Sequence, residues 1–203
     1  MSLYLIVVVV AYLLGSIPFG FLLVWLVRKE DIRAKGSGNI GATNVWRTYG
    51  RSLGLPVIVL DVLKGFVPAL VGVHAVSHLC GILAGAAAML GHWRPLFLRF
   101  AKGGKMVATA GGAFLAVAPL AALAGGAVWW AFFLATRYAS VASIVAALSL
   151  PALAAALGYP LSVIVFSGFI AAGVAVLHRG NLRRLRAGTE NRARLRRTIR
   201  SSA

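Results

Sequence analysis

Seven apolar runs follow one another along this chain, at roughly 3–27, 53–73, 77–93, 105–118, 120–136, 139–157 and 160–178. A helix that crosses a bilayer needs about 20 predominantly apolar residues, because each adds about 1.5 Å against a hydrocarbon core about 30 Å thick. Lipid offers no partner to an open backbone N–H or C=O, so such segments are helices. The third and fourth runs are short, and a re-entrant hairpin is their alternative. It would carry Arg94, Arg99, Lys102 and Lys105 toward hydrocarbon at heavy cost, so two crossings are expected. Composition agrees. Hydrophobic residues make up 60% of the 203 and charged residues 12%, against about 25% charged in soluble domains. The expected fold is an all-α integral membrane protein with about seven transmembrane helices. Runs of small residues, such as Ala84-Gly85-Ala86-Ala87-Ala88, allow those helices to approach closely. The first run has no basic segment before it and continues through Gly15 and Pro18 to Trp25, as a span does and a cleaved leader does not.

The charges orient this array. Net charge is +17, from 21 Lys+Arg against 4 Asp+Glu. Such a balance suits nucleic acid as well, but the apolar runs assign it to a membrane, and no nucleic-acid partner is expected. Basic residues fall in segment 28–52, in segment 92–105, at Arg137, and in a tail that holds nine arginines after His178. The intervening loops near 74–76, 118–120 and 157–160 carry none. Seven spans therefore put 20 of the 21 basic residues on one face, Lys64 being the exception. Lys and Arg mark the cytoplasmic face. This predicts an inner-membrane protein with its N-terminus outside and its C-terminus in the cytoplasm. The chain divides into a membrane domain over 1–180 and a basic cytoplasmic tail over 181–203. The tail reads as an amphipathic helix or an arm on the inner leaflet. One cysteine, Cys80, lies in an apolar run, which excludes a disulfide framework or cysteine metal site and reads as a packed small hydrophobe.

Polar chemistry collects on the basic face. Gly36-Ser37-Gly38-Asn39-Ile40-Gly41-Ala42-Thr43-Asn44-Val45-Trp46-Arg47 reads as a donor-rich loop. Its glycines permit positive φ, and successive exposed N–H groups hold anions. Ser37, Asn39, Thr43 and Asn44 add side-chain donors, and Arg47 can clamp a phosphate with two bonds. The loop has no carboxylate, so it suits a phosphorylated substrate without a protein-held metal. An ordinary Gly/Ser/Asn turn is the plainer reading. A second stretch runs from Gly91-His92-Trp93-Arg94-Pro95 to Lys102-Gly103-Gly104-Lys105, just before a helix whose N-terminus favours anions. It is not a P-loop, since Met106 stands where Mg²⁺ would need Ser or Thr. Its lysines read equally as phosphate ligands or as interfacial positive charge. Asp61 and Lys64, three residues apart inside the second span, can pair on one helix face. They read as a functional site or as a brace for the polar loops. Ser140 and Ser143 enter the sixth span from the basic side, as pocket residues or as a helix cap. His178 and Asn181 close the last span, and Glu190 follows.

Several chemistries are excluded. There is no HEXXH, acidic metal cluster or GxSxG elbow. Asp31 and Asp61 are too few for a CDP-alcohol phosphotransferase. The acyltransferases that use His with Asp five residues later are ruled out by Phe97 after His92 and Arg183 after His178.

In order and placement, these segments resemble the bacterial acyl-phosphate:glycerol-3-phosphate acyltransferase family. The resemblance runs from Gly15-Ser16-Ile17-Pro18-Phe19-Gly20 through Ser37-Gly38-Asn39-Ile40-Gly41-Ala42-Thr43-Asn44, Asp61-Val62-Leu63-Lys64-Gly65, Gly91-His92 with Pro95 and Phe97, and Lys102-Gly103-Gly104-Lys105. It continues through Ser140, His178 with Asn181, and Gly188-Thr189-Glu190. Two positions depart from the family pattern: Ala101 intervenes between Phe100 and Lys102, and Met106 replaces a small residue. The resemblance implies acyl transfer from an acyl phosphate to the 1-hydroxyl of sn-glycerol 3-phosphate, giving lysophosphatidic acid and phosphate. It implies no cofactor and a link to the enzyme that forms acyl phosphate. The expected catalytic residues are His92, Lys105, Ser140, His178 and Asn181. The expected phosphate-binding residues are Ser37, Gly38, Asn39, Thr43, Asn44, Arg47, Lys102, Gly103, Gly104 and Glu190, with Asp61–Lys64 as a structural pair.

Two other classes compete. A carrier for small phosphorylated metabolites also uses basic residues and an intramembrane ion pair, but it needs a polar path and paired broken helices that the pattern lacks. A scaffold for anionic lipid explains the arginine tail and leaves the glycine-rich segments without a role.

Overall fold

The structure, a computed structural model, describes residues 3–193. It is helical throughout, with no strand among the described residues. Ten α-helices follow in order: α1 Leu3–Gly15, α2 Phe19–Arg28, α3 Ala42–Tyr49, α4 Arg51–Ala75, α5 His78–Trp93, α6 Val107–Val117, α7 Pro119–Thr136, α8 Ala139–Ala156, α9 Leu161–Leu177 and α10 Arg179–Arg186.

Each expected apolar run is helical, with one division. The run over 3–27 splits into α1 and α2 at 16–18. Pro18 has no N–H to donate back into a helix, and Ser16 turns its hydroxyl onto the Tyr12 carbonyl at 2.8 Å. The Ile17 carbonyl, freed from helical bonding, accepts from Lys64 Nζ at 2.9 Å. Other prolines do not break their helices: Pro56 and Pro68 lie inside α4, and Pro151 lies inside α8. A second difference falls in the glycine-rich segment. Its latter half, expected as loop, is α3, so Thr43 and Arg47 sit one turn apart on one exposed helix face.

Among the described residues, four segments are long and apolar enough to cross a membrane: Leu3–Arg28 taken across its break, Arg51–Ala75, Pro119–Thr136 and Ala139–Ala156. A fifth is formed if Leu161–Leu177 joins Arg179–Arg186, bent by 52°. Helix length thus accounts for four or five crossings against the seven expected, and the difference lies mainly in the two short helices. α5 has 16 residues and α6 has 11; at about 1.5 Å per residue, α6 covers roughly half of a hydrocarbon core.

Helix α4 is the hub, packed against α1, α5 and α6, while α7, α8 and α9 follow in sequence. Small residues set the close contacts. A Cβ at Gly65 would run into the Thr109 backbone of α6, and one at Gly15 would strike the backbone at Ala88 of α5. α1 and α5 run parallel: Tyr4 bonds Ser77 at one end, and Tyr12 Oη donates to the Arg94 carbonyl at 2.8 Å at the other. This brings the α1–α2 break, the end of α5 and the start of α6 to one end of the bundle. An apolar cavity of about 200 Å³ lies beside the break, lined by Leu14, Ile17, Phe19, Leu63, Val67 and the stem of Lys64.

Candidate functional site

The glycine-rich segment is built by its two asparagines. Asn44 Oδ1 accepts from Ser37 N at 2.9 Å, and Asn44 Nδ2 donates to the carbonyls of Lys35 and Asn39 at 3.1 and 2.8 Å. Asn39 Oδ1 accepts from Gly41 N at 2.8 Å. Both amides are buried, and these bonds occupy them. Gly36 and Gly38 take φ of +56° and +69°, the left-handed conformation that glycine adopts without strain. The result is a folded platform that presents Ser37, Thr43 and Arg47 as exposed side chains.

The platform is joined directly to the double-lysine loop, since Asn39 Nδ2 donates to the Gly103 carbonyl at 3.0 Å. Gly103 N and Gly104 N in turn donate to the Trp93 and His92 carbonyls, each at 2.9 Å. The loop therefore lies flat on the end of α5. No larger residue fits: a Cβ at Gly104 would overlap the His92 imidazole, and one at Gly103 would meet the His92 carbonyl. The extra Ala101 is absorbed by a turn with Arg99 and Phe100 both left-handed. Met106 is also left-handed, at φ +68°, and buries its side chain in the core below α6. Lys102 stays exposed, while Lys105 points inward.

Lys105 begins a hydrogen-bonded chain that ends on α8. Its Nζ donates to Asn181 Oδ1 at 2.5 Å. Asn181 Nδ2 donates to Glu190 Oε1 at 2.6 Å, and Ser140 Oγ donates to the same oxygen at 2.8 Å. Arg184 Nε donates to Glu190 Oε2 at 2.8 Å. Glu190 is held there because the chain folds back over the α7–α8 turn, where Ala193 N and Arg192 Nε donate to the carbonyls of Arg137 and Thr136. Partial burial pushes the Glu190 carboxyl upward, but the bonds from Asn181, Ser140 and Arg184 outweigh it and leave the pKa below the usual value. Lys105 is lowered to about 8, chiefly by burial and then by the charge of Arg184. Lys102 and Arg47 add to this, and Glu190 opposes it. Four cations and one carboxylate thus act on one another.

His178 lies one turn before Asn181. Its Nδ1 is 2.8 Å from the Val174 carbonyl, which can only accept. In the neutral ring the proton is therefore on Nδ1, and the lone pair on Nε2 has no hydrogen-bond partner among the described residues. His92 is placed differently. It is buried beneath Gly104, with Nδ1 3.7 Å from Asp61 Oδ1. Asp61 and Lys64 form the pair their spacing predicts, at 2.8 Å. Ser140 does not cap α8, since its hydroxyl goes to Glu190, and Ser143 turns away to accept from Trp129 Nε1 at 3.1 Å.

Sequence reasoning missed Arg184. Among nine tail arginines nothing marks it except its position three residues after Asn181, on the same face of α10. Asn181 and Glu190 fall on the tail side of the expected boundary at 180, so the folded unit continues at least to Glu190. The rest of the tail, 194–203, lies outside the described residues.

Basic and hydroxyl side chains from three segments converge at one end of an apolar helix bundle, which defines a membrane protein that handles a phosphorylated ligand beside lipid. The family model for glycerol-3-phosphate acyltransferase matches residues 5–188. The chain belongs to that family. It is 48% identical over 188 residues to a glycerol-3-phosphate acyltransferase of Geotalea daltonii, covering 92% of this chain and 96% of the relative. The fold matches the crystal structure of PlsY (YgiH), an integral membrane glycerol 3-phosphate acyltransferase. The TM-score to its glycerol 3-phosphate form is 0.91 at 44% identity, covering 95% of this chain and 96% of that one. Its lysophosphatidic acid form matches with a TM-score of 0.87 at 44% identity, covering 94% and 95%. The expected all-helical membrane fold is thus the observed one.

Proposed function

We infer that this chain transfers an acyl group from an acyl phosphate to the 1-hydroxyl of sn-glycerol 3-phosphate, releasing lysophosphatidic acid and inorganic phosphate. The single observation that carries this reading is the Lys105–Asn181–Glu190–Ser140 chain beside a platform that bears Ser37, Thr43 and Arg47. It gathers cations and hydroxyls where two anionic substrates must meet. An acyl phosphate is already activated, so positioning and charge neutralisation suffice.

Ser37, Thr43 and Arg47 hold phosphate on the platform, with the Gly38 backbone, while Asn39 and Asn44 shape it. The substrate hydroxyl attacks the acyl carbonyl carbon, and the carbon–oxygen bond to phosphate breaks. Lys102 and Lys105 neutralise the departing phosphate, and Gly103-Gly104 keep Lys105 in register. His178 Nε2 is the best-placed group to take the hydroxyl proton, because its lone pair has no partner among the described residues. Asn181 and Glu190 orient Lys105 and Ser140. No acyl-enzyme forms, so a mass-detected acyl group on a serine of the working enzyme would overturn direct transfer.

The charge distribution supports seven crossings in a bacterial inner membrane, with the N-terminus outside and the site open to the cytoplasm. An acyl-phosphate-forming enzyme is the natural supplier at that face.

Purified protein in detergent, given acyl phosphate and glycerol 3-phosphate, is expected to yield lysophosphatidic acid. Lys105→Ala and Arg47→Ala should lose turnover by about 100-fold or more with thermal unfolding unchanged, as loss of a preorganised charge partner does. Absence of product from the unaltered protein would overturn the reading.

A further inference from the structure

Behind the double-lysine loop, Asp61, Lys64 and His92 form a polar cluster that the reaction as drawn does not use. They are 2%, 5% and 4% exposed. A buried ion pair is a poor brace, because desolvation offsets its attraction and apolar residues of similar volume usually serve as well. Nor is the cluster fully satisfied. Lys64 Nζ lies 2.8 Å from Asp61 Oδ1, and its hydrogen bond at 2.9 Å goes to the Ile17 carbonyl. His92 Nδ1 lies 3.7 Å from Asp61 Oδ1, too far for a hydrogen bond, and has no other partner among the described residues. Buried polar atoms left open cost about 1–3 kcal/mol each, a cost that native proteins retain chiefly for a purpose.

The other side of His92 shows the purpose. Its carbonyl accepts from Gly104 N at 2.9 Å, and its ring fills the space a Gly104 side chain would need. His92 is thus joined by backbone and by ring to the residue immediately before Lys105.

We propose that Asp61, held by Lys64, acts through His92 as a positioning residue for Gly103-Gly104 and so for the Lys105 ammonium. A carboxylate beside Nδ1 favours the tautomer with its proton there and fixes the ring's orientation, as carboxylates do for ligand histidines. Lys64 pairs with that carboxylate and ties it to the freed carbonyl of the α1–α2 break. At 3.7 Å Asp61 acts on the ring through its charge rather than through a hydrogen bond. A chain of contacts then runs from the break at 16–18 through α4 and α5 to Lys105.

The proposal rests on the acyltransferase reading, since it needs Lys105 at the leaving phosphate. The test uses full-length protein in detergent with both substrates. Asp61→Leu/Lys64→Met removes both charges together, which a brace tolerates. It is expected to keep its unfolding temperature and lose kcat by about 10–100-fold, the usual effect of removing an orienting partner. KM for both substrates should change little. Asp61→Asn, which preserves volume, is measured beside it, so a folding failure in one leaves the other to decide. Asp61→Asn and His92→Gln should not combine: the double variant should be no slower than the slower single one. Wild-type kcat in the folded apolar pair, or multiplicative losses in the double variant, overturns the proposal alone. An inactive unaltered protein overturns the acyltransferase reading and the proposal with it.

Discussion

Lys105 carries the charge balance of the site, and its surroundings fix how that charge responds to pH. Burial, then Arg184, lowers its pKa to about 8. In the free enzyme the ammonium is therefore lost as pH rises through about 8, and an anionic substrate, once bound, holds the proton in place. The profile of kcat/KM reports the free enzyme, and that of kcat reports the complex. We expect an alkaline limb near pH 8 in kcat/KM and a later one in kcat. Lys105→Arg, charged throughout, should abolish the limb, and a limb unmoved in that variant would assign it elsewhere. Stability follows with the opposite sign. The unfolded lysine titrates near 10.4, so between about 8 and 10.4 the unfolded chain binds more protons, and stability rises with pH across that window. Residue types were largely legible in advance. Lys105, Ser140, Asn181 and Glu190 stood out as polar groups beside apolar spans, where such groups are costly. Their pairing was not legible, because a contact such as that of Ser140 with Glu190 spans 50 residues and leaves no periodic trace.

At the scale of elements, two local devices form the site: the flat double-lysine loop and the break between α1 and α2. The sequence placed the loop just before a helix, as the structure does, but did not show what its glycines are for. Gly103 and Gly104 are needed for close approach to His92. Gly104→Ala should therefore lower kcat/KM at least about tenfold and destabilise by about 1–3 kcal/mol, as overpacking does. Gly111→Ala, on the next helix with open space at its Cβ, should leave activity unchanged and stabilise slightly. Steady-state rates and thermal melts of the two variants check this, and equal behaviour would refute the packing account. The break escaped sequence reading for a plain reason. Pro56, Pro68 and Pro151 pass through helices intact, so proline alone does not mark an interruption in lipid. What distinguishes Pro18 is the neighbour that takes up the carbonyl freed beside it, Lys64 from α4, which donates to Ile17.

For the whole molecule, fold class was legible because hydrophobicity dominates it, whereas crossing number was not, because α5 and α6 are shorter than a full span. Charge is the better guide to orientation. The membrane potential and insertion machinery act on Lys and Arg, and 20 of 21 fall on one face if every run crosses. That arrangement predicts which positions an impermeant reagent reaches. Cys80 is the only cysteine and is buried, so Cys80→Ser gives a clean background. His74, Lys35 and Ala101 are exposed and lie in the segments assigned to opposite faces. In intact cells stripped of their outer barrier, His74→Cys should react with a membrane-impermeant maleimide, while Lys35→Cys and Ala101→Cys should react only after permeabilisation. If α5 and α6 formed a re-entrant hairpin, it would enter from the outer face, where α4 ends, and return there, so α7 would start outside in either arrangement. The decisive position is therefore Ala101, exposed between the two short helices. Ala101→Cys labelled only after permeabilisation fits full crossings by the two short helices; labelling from outside, or no labelling from either side, would replace seven spans with five and a hairpin, leaving α7 to α9 oriented as before.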